Sequence, residues 1–224
     1  HRSGLPKYEF IDGIPVHRKM KWWHPFGMAY MLSVLIFLVR YRRSYDIIHC
    51  FGLFLFVPPA LILRYLFKKK LVLRLLCSGP YGDFANAEEL RCRNLITACA
   101  HRFDRIVYMS ADMKEELLRN RFPETKLAFI PNGVDTERYV PSAVPATNVC
   151  FVGRVEAQKG LGYLLRAFSI MIQEGCDAKL FVVGDGKQKT LLEDLSRHLA
   201  IDGRVVFTGF AEDVRPYYHQ SRVF

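Results

Sequence analysis

The feature that most constrains the fold is a regular alternation of two kinds of segment. Short runs rich in β-branched and other apolar residues are followed by longer segments with the spacing of amphipathic helices. This alternation is typical of βα units around a parallel sheet. It predicts strands at residues 14–18, 46–50, 71–76, 105–108, 127–130, 148–152, 179–183 and 204–207. The helices predicted between them cover residues 27–43, 54–67, 87–102, 111–120, 160–174, 187–199 and 214–220, with Ser110 as the N-cap of the fourth.

A proline-rich stretch interrupts the alternation. Asn132-Gly133 after a proline is strong turn chemistry, and Pro141 and Pro145 stiffen the segment that follows. We therefore predict two α/β domains, residues 1–140 and 148–224, joined by a linker at 141–147. The first domain opens without the βα unit that usually starts such a sheet. The second stops on the first residues of a strand, so we expect both domains to be truncated.

The charge of the chain favours an anionic partner. The chain has 32 Lys and Arg residues and 22 Asp and Glu residues, which gives a net charge of +10. Two apolar runs, at 26–39 and 51–63, are shorter than the ~20 residues that span a bilayer. Each is followed by a basic cluster, at 40–43 and 68–70, which fits either a solvated helix end or contact with an anionic membrane surface. Trp22-Trp23 fits an interfacial anchor or a surface loop equally well.

The six cysteines do not predict a metal site. No two of them stand at Cys-x-x-Cys spacing, and most lie in apolar stretches where cysteine behaves as a small hydrophobic residue. Because no secretory signal precedes them, we expect a cytoplasmic protein.

The strongest chemical signal is the segment 151–160. A buried strand ends at Gly153, and Arg154 and Lys159 occupy the loop that leads into a helix. Backbone approach at the glycine, two cations and a partly positive helix N-terminus would suit a diphosphate. The same spacing also fits an ordinary strand, turn and helix with solvated cations.

Two further glycine turns follow later strands. Gly184-Asp185-Gly186 comes after one strand and Gly209-Phe210-Ala211 after the next. The first lacks the third glycine of the dinucleotide fingerprint, which disfavours a nicotinamide dehydrogenase. Ligands of open α/β sheets bind at the carboxyl ends of strands, so the three strand ends are expected to line one crevice, with Phe210 either stacking on a base or serving as a core or lid aromatic.

Four stretches in this order resemble glycosyltransferase family 4, whose members are retaining enzymes with the GT-B fold. They are Pro-Asn-Gly-Val-Asp at 131–135, Val-Gly-Arg at 152–154 with Lys-Gly at 159–160, Val-Val-Gly-Asp-Gly at 182–186 and Phe-Thr-Gly-Phe at 207–210. Weaker similarity at 11–16, 45–49 and 104–110 extends the resemblance over nearly the whole chain. It implies two Rossmann-like domains facing a cleft, an α/β fold of the GT-B type.

The resemblance also implies a function. A hexosyltransferase-like enzyme would move a sugar from a nucleoside-diphosphate sugar to a glycan or lipid-linked acceptor in cell-envelope or polysaccharide biosynthesis, with no metal and no nucleic acid. Arg154 and Lys159 would be catalytic. The donor-binding residues would be Gly153, Gly184, Asp185, Gly186, Gly209, Phe210 and Ala211. The family's first glycine-rich loop would precede His1 and its Glu-x7-Glu motif would follow Phe224, so the 224 residues alone are expected to be inactive.

The acceptor side is less clearly marked. Ser78 and Asp83 lie in a glycine-containing loop after a strand, where many relatives carry a histidine that this chain lacks, and His49 ends another strand. These three residues are the acceptor-side candidates, although a plain turn and a core or edge histidine fit the same pattern. The alternative to an enzyme is a non-catalytic basic module that binds an anionic membrane or nucleic acid. The chain has no recognisable nucleic-acid motif.

Overall fold

The computed structural model describes residues 6–18, 27–90, 92–141 and 146–224. The chain divides into two compact units, residues 1–132 and 133–224. The first domain was predicted to end at residue 140, later in the chain than the observed boundary. The two differ because the segment after residue 133 packs within the second unit. The ring of Tyr139 lies 6.2 Å from that of Tyr218, and the Val140 carbonyl oxygen lies 3.2 Å from His219 Nε2. Residues 142–145 of the predicted linker, like Trp22 and Trp23, lie outside the described residues.

The described part of the first unit opens with a β-hairpin. Strands β1 (Tyr8–Ile11) and β2 (Ile14–His17) are antiparallel. Asp12 and Gly13 between them both have positive φ, 49° and 78°, as a two-residue type I′ turn requires. The prediction found the second strand and missed the first. Helix α1 (Gly27–Arg40) follows.

A parallel sheet forms the centre of the first unit. Its four strands lie side by side in chain order: β3 (Ile47–Phe51), β4 (Lys70–Arg74), β5 (Arg105–Tyr108) and β6 (Leu127–Phe129). The helices that connect them are α2 (Val57–Phe67), α3 (Asp83–Glu88), α4 (Arg93–Ala100) and α5 (Ala111–Arg119). Leu71, Leu73 and Leu75 are fully buried because alternate side chains of β4 and its extension point into the core.

Two helix predictions in this unit have different outcomes. The single helix predicted at 87–102 is wrong, because Leu90 packs against the core and Cys92 leaves the helical conformation at ψ 24°, which separates α3 from α4. Ser110 is confirmed as the N-cap of α5, since the Met113 N–H donates to its Oγ at 3.3 Å.

The second unit contains another parallel sheet. Its strands are β7 (Asn148–Val152), β8 (Leu180–Val183), β9 (Val205–Gly209) and β10 (Ser221–Val223), in the order β10-β7-β8-β9. The helices are α6 (Leu161–Gln173), α7 (Lys189–His198) and α8 (Arg215–His219). Leu161, Leu165 and Phe168 form the buried stripe of α6, and they pack with Leu180 and Val182 of β8. Among the described helices of both units, none is long and apolar enough to cross a membrane.

Candidate functional site

The carboxyl ends of β7, β8 and β9 lie side by side, as the sequence predicts. The Gly153 N–H donates to the Val183 carbonyl oxygen at 2.9 Å, and the Gly184 N–H donates to the Gly209 carbonyl oxygen at 2.8 Å. The strand order places β7 between β8 and β10, so the chain reverses its direction across the sheet beside β7. Such a switch point is where open α/β sheets bind ligands.

Two glycines are required here by contact between backbones. A Cβ on Gly184, whose φ is 139°, would lie 1.9 Å from the Gly153 carbonyl oxygen. A Cβ on Gly186 would lie 2.3 Å from the carbonyl oxygen of Val155. Both glycines therefore let neighbouring backbone segments approach each other closely.

The loop after β7 brings two cations to the start of a helix. Gly160, at φ 68°, precedes α6 in a left-handed conformation, and no side chain caps the helix within the described structure. Arg154 and Lys159 are exposed, and neither makes an ion pair or side-chain hydrogen bond with any residue that the structure describes. The uncapped N–H groups and both cations are thus available to an anion.

Two carboxylates of the same loops are engaged by the backbone. Asp185 Oδ1 accepts a hydrogen bond from the Gly186 N–H at 2.8 Å, and Glu156 Oε1 lies 3.5 Å from the Lys187 nitrogen. Neither pairs with Arg154 or Lys159 among the described contacts. Neither carboxylate therefore neutralises the charge of Arg154 or Lys159.

The end of β9 supplies an aromatic surface. Phe210 directly follows the strand and is 63% exposed, and Ala211 beside it is half-buried. Much of this aromatic side chain therefore lies in solvent beside the end of β9.

Asp83 holds two strand-end turns of the first unit. It is only 7% exposed, which does not fit a residue that contacts an acceptor directly. Its carboxylate accepts hydrogen bonds from the N–H groups of Leu53 (3.3 Å), Leu76 (2.6 Å) and Cys77 (3.1 Å). Asp83 thus joins the turn after β3 to the loop after β4, because both supply donors to one carboxylate.

The other two acceptor-side candidates are Ser78 and His49. Ser78 is half-buried at the start of a single 3-10 turn, and its hydroxyl does not cap that turn. His49 is exposed on β3, the first strand of the described sheet, with its ring 4.4 Å from that of Phe51. Partial desolvation and the charge of Arg74 lower the pKa of His49. No hydrogen bond among the described residues joins His49 to Ser78 or Asp83.

Glu116 on α5 was not predicted and lies against the same loop. The Gly79 N–H donates to its carboxylate, while burial raises its pKa, with a smaller contribution from the charge of Asp83. Its Oε2 is buried without a hydrogen-bond partner among the described residues. Nothing in the sequence marks this glutamate, because it stands in the middle of an amphipathic helix far from the loop along the chain.

The described residues contain no group of three or more His, Cys, Asp or Glu side chains placed to hold a metal ion.

Comparison with known proteins identifies both halves of the chain. Residues 1–138 match the model of "Glycosyltransferase Family 4", and residues 146–224 match that of "Glycosyl transferases group 1". An uncharacterized glycosyltransferase of Methanocaldococcus jannaschii is 27% identical over 92% of this chain and 58% of its own length. A GDP-mannose-dependent alpha-(1-6)-phosphatidylinositol dimannoside mannosyltransferase of Mycobacterium tuberculosis is 28% identical over 59% of this chain and 34% of its own length.

Solved structures share the fold. HepE of Anabaena in complex with UDP-glucose superposes with a TM-score of 0.69 at 20% identity, covering 89% of this chain and 57% of HepE. A glycosyltransferase of Rickettsia africae gives a TM-score of 0.63 at 14% identity, over 92% of this chain and 57% of that one. The chain spans a little over half the length of these proteins. The predicted α/β fold of the GT-B type is confirmed, and with one family model matching more than half of its residues the chain belongs to glycosyltransferase family 4.

Proposed function

We propose that the protein is a retaining glycosyltransferase that moves a sugar from a nucleoside-diphosphate sugar to a glycan or lipid-linked acceptor. One observation carries the proposal: the ends of β7, β8 and β9 converge beside the uncapped N-terminus of α6, where Arg154 and Lys159 have no partner among the described residues. This arrangement is suited to bind a diphosphate. Related proteins support it, because HepE is described in complexes with UDP and UDP-glucose.

The two cations have the catalytic role in this proposal. As the bond from the anomeric carbon to the diphosphate oxygen breaks, negative charge grows on the departing nucleoside diphosphate. Arg154 can hold its oxygens through two parallel N–H bonds, and Lys159 adds a point charge beside the helix end. Charge stabilisation by these groups needs no metal, so we propose a metal-free reaction. The acceptor hydroxyl attacks the anomeric carbon from the face that the diphosphate leaves and gives its proton to the departing diphosphate oxygen, which retains the anomeric configuration.

The remaining donor contacts follow from the strand ends. Gly153, Gly184 and Gly186 shape the backbone next to the diphosphate, with Asp185 holding the turn between the last two. Gly209, at φ 71°, turns the chain so that Phe210 and Ala211 follow β9. We propose that the Phe210 ring stacks on the base of the nucleotide.

Acceptor recognition is proposed for the first unit. Ser78 remains a candidate contact, because it follows the strand-end turn that Asp83 holds. His49 is a candidate of the same kind, with its lowered pKa favouring the neutral imidazole at pH 7. Asp83 itself is proposed to position the loop. A role at the cytoplasmic face of a membrane, in cell-envelope or polysaccharide biosynthesis, completes the proposal.

The test is donor turnover by the full-length protein. With a panel of nucleotide sugars and a chelator present, we expect release of nucleoside diphosphate from one donor. Arg154→Ala should lower that rate about 100-fold or more, the usual effect of removing a donor to transition-state charge. Arg204→Ala is the matched control, because Arg204 stands at the opposite end of β9 and pairs with Asp177. Equal rates for Arg154→Ala and the wild type would refute the role of Arg154.

A further inference from the structure

An apolar surface covers the outer side of α1. Met28, Leu32 and Ile36 are 81%, 56% and 59% exposed, and their spacing of four residues places them on one helix face. The other side of the helix is turned inward, since Val34 is buried and Tyr30 packs against the core of the unit. The outer face of α1 is therefore apolar where a solvated helix would be polar.

Helix α2 extends this surface. It packs beside α1, and its exposed side carries Ile62, Tyr65 and Leu66. We call these two exposed helix faces together the α1–α2 surface. Exposed apolar faces on two neighbouring helices are unusual on a protein that contacts only water.

Two contacts join the C-terminal end of α2 to the residues that follow α1. The Arg42 guanidinium lies 5.3 Å from the centre of the Phe67 ring, and Lys69 Nζ donates to the Tyr45 carbonyl oxygen. The two basic clusters predicted from the sequence therefore lie at one end of the α1–α2 surface, because Arg42 and Lys69 each belong to one of them.

Three cations at this end make no ion pair with any acidic residue that the structure describes: Arg40, Arg43 and Lys68. The nearby acidic residues form ion pairs with other cations. Asp46 lies 3.8 Å from Lys69, and Asp104 pairs with Arg64. The end of the surface thus carries uncompensated positive charge.

We propose that the α1–α2 surface docks on an anionic lipid bilayer, with its apolar side chains in the interface and the three cations against lipid phosphates. Exposed apolar faces beside clustered Lys and Arg have the chemistry of peripheral membrane helices. Charge complementarity favours this occupant over a second copy of the chain, which would bring the same cations. The inference rests on the first unit alone and does not depend on sugar transfer.

The test is co-sedimentation of the full-length protein with vesicles of phosphatidylcholine, with and without phosphatidylglycerol, in the absence of any donor. We expect binding that requires phosphatidylglycerol and weakens with salt. Arg43→Gln with Lys68→Gln should lower the partition coefficient about 30-fold, since each cation near an anionic surface contributes roughly a factor of five. Leu32→Asn with Leu66→Asn should lower it by about 10-fold or more.

Matched controls lie in the second unit. Lys179→Gln removes an exposed cation and Leu191→Asn an exposed leucine, and both should bind vesicles like the wild type. Thermal unfolding of every variant checks that it folds, and all replaced side chains are exposed. Binding that ignores phosphatidylglycerol, or that survives both double substitutions, would overturn the proposal. A dimer that dissociates on Leu32→Asn with Leu66→Asn, without vesicle binding, would assign the surface to a second copy instead.

Discussion

Replacing Asp83 by alanine tests how the two turns of the first unit are held. Its carboxylate receives three main-chain N–H groups and is almost completely buried. Little space surrounds it, because a Cβ placed on Gly52 would lie 2.9 Å from Asp83 Oδ1. Leu53 is itself only 2% exposed, so its N–H is the donor that we expect to regain least from water after the substitution.

The expected loss follows from those three bonds. A hydrogen bond to a charged group contributes about 1.5–3 kcal/mol, and a buried donor left without a partner costs about 1–3 kcal/mol. Leu76 and Cys77 are exposed, so their N–H groups can turn to water and recover part of the loss. We therefore expect Asp83→Ala to lower the free energy of unfolding of this region by about 3 kcal/mol, which corresponds to a roughly 100-fold change in an equilibrium constant.

Amide hydrogen exchange measures this effect at the donors themselves. In Asp83→Ala, the amides of Leu53, Leu76 and Cys77 should exchange faster, with the largest change, up to about 100-fold, at the buried Leu53. Asp46→Ala is the control in the same unit, because the Asp46 side chain is fully exposed and reaches Lys69 only at 3.8 Å. Exchange of the Leu53 amide within twofold of the wild type in both variants would refute the reasoning.

Three further predictions concern single elements. Gly184→Ala should cost about 3 kcal/mol or more in urea unfolding, since its Cβ would meet a backbone oxygen, whereas Gly203→Ala, with no neighbour within 4 Å, should cost little. Ser110→Ala should lower stability by about 1 kcal/mol through loss of the α5 cap, which thermal unfolding would detect as a lower midpoint. Burial raises the pKa of Glu116, so its contribution to stability is present below pH 4.5 and lost as pH rises through the folded pKa. Glu116→Gln should therefore gain stability relative to the wild type between pH 4 and pH 7, and an equal difference at both values would contradict this.

Local sequence patterns were sufficient for the two parallel sheets and for the strand ends of the second unit. Each strand of β7, β8 and β9 is an apolar run that stops at glycine, and parallel pairing then places the three glycines together. The hairpin of β1 was missed although Asp12-Gly13 is a strong signal for its turn. The predicted strand starts at residue 14, after this turn, and the residues before the turn carry no strand prediction.

Contacts between residues distant along the chain could not be predicted in this way. The sequence placed Asp83 in a loop and suggested an exposed contact, but its burial depends on Leu53, thirty residues earlier. Glu116 approaches the same loop from a separate helix. The requirement for glycine at 184 likewise comes from the Gly153 carbonyl oxygen on the neighbouring strand end.

The central claim is that a nucleoside diphosphate binds between the end of β7 and the start of α6. Hydrogen exchange of the full-length protein, with and without UDP and with a chelator present, tests it directly. We predict slower exchange in the peptide containing Gly153 to Tyr163, where Leu161 and Gly162 open the uncapped helix, and no change at Asp202 to Arg204 at the opposite end of β9. Repeating the experiment with GDP and ADP identifies the preferred base. Exchange around α6 that no nucleoside diphosphate changes would contradict the account.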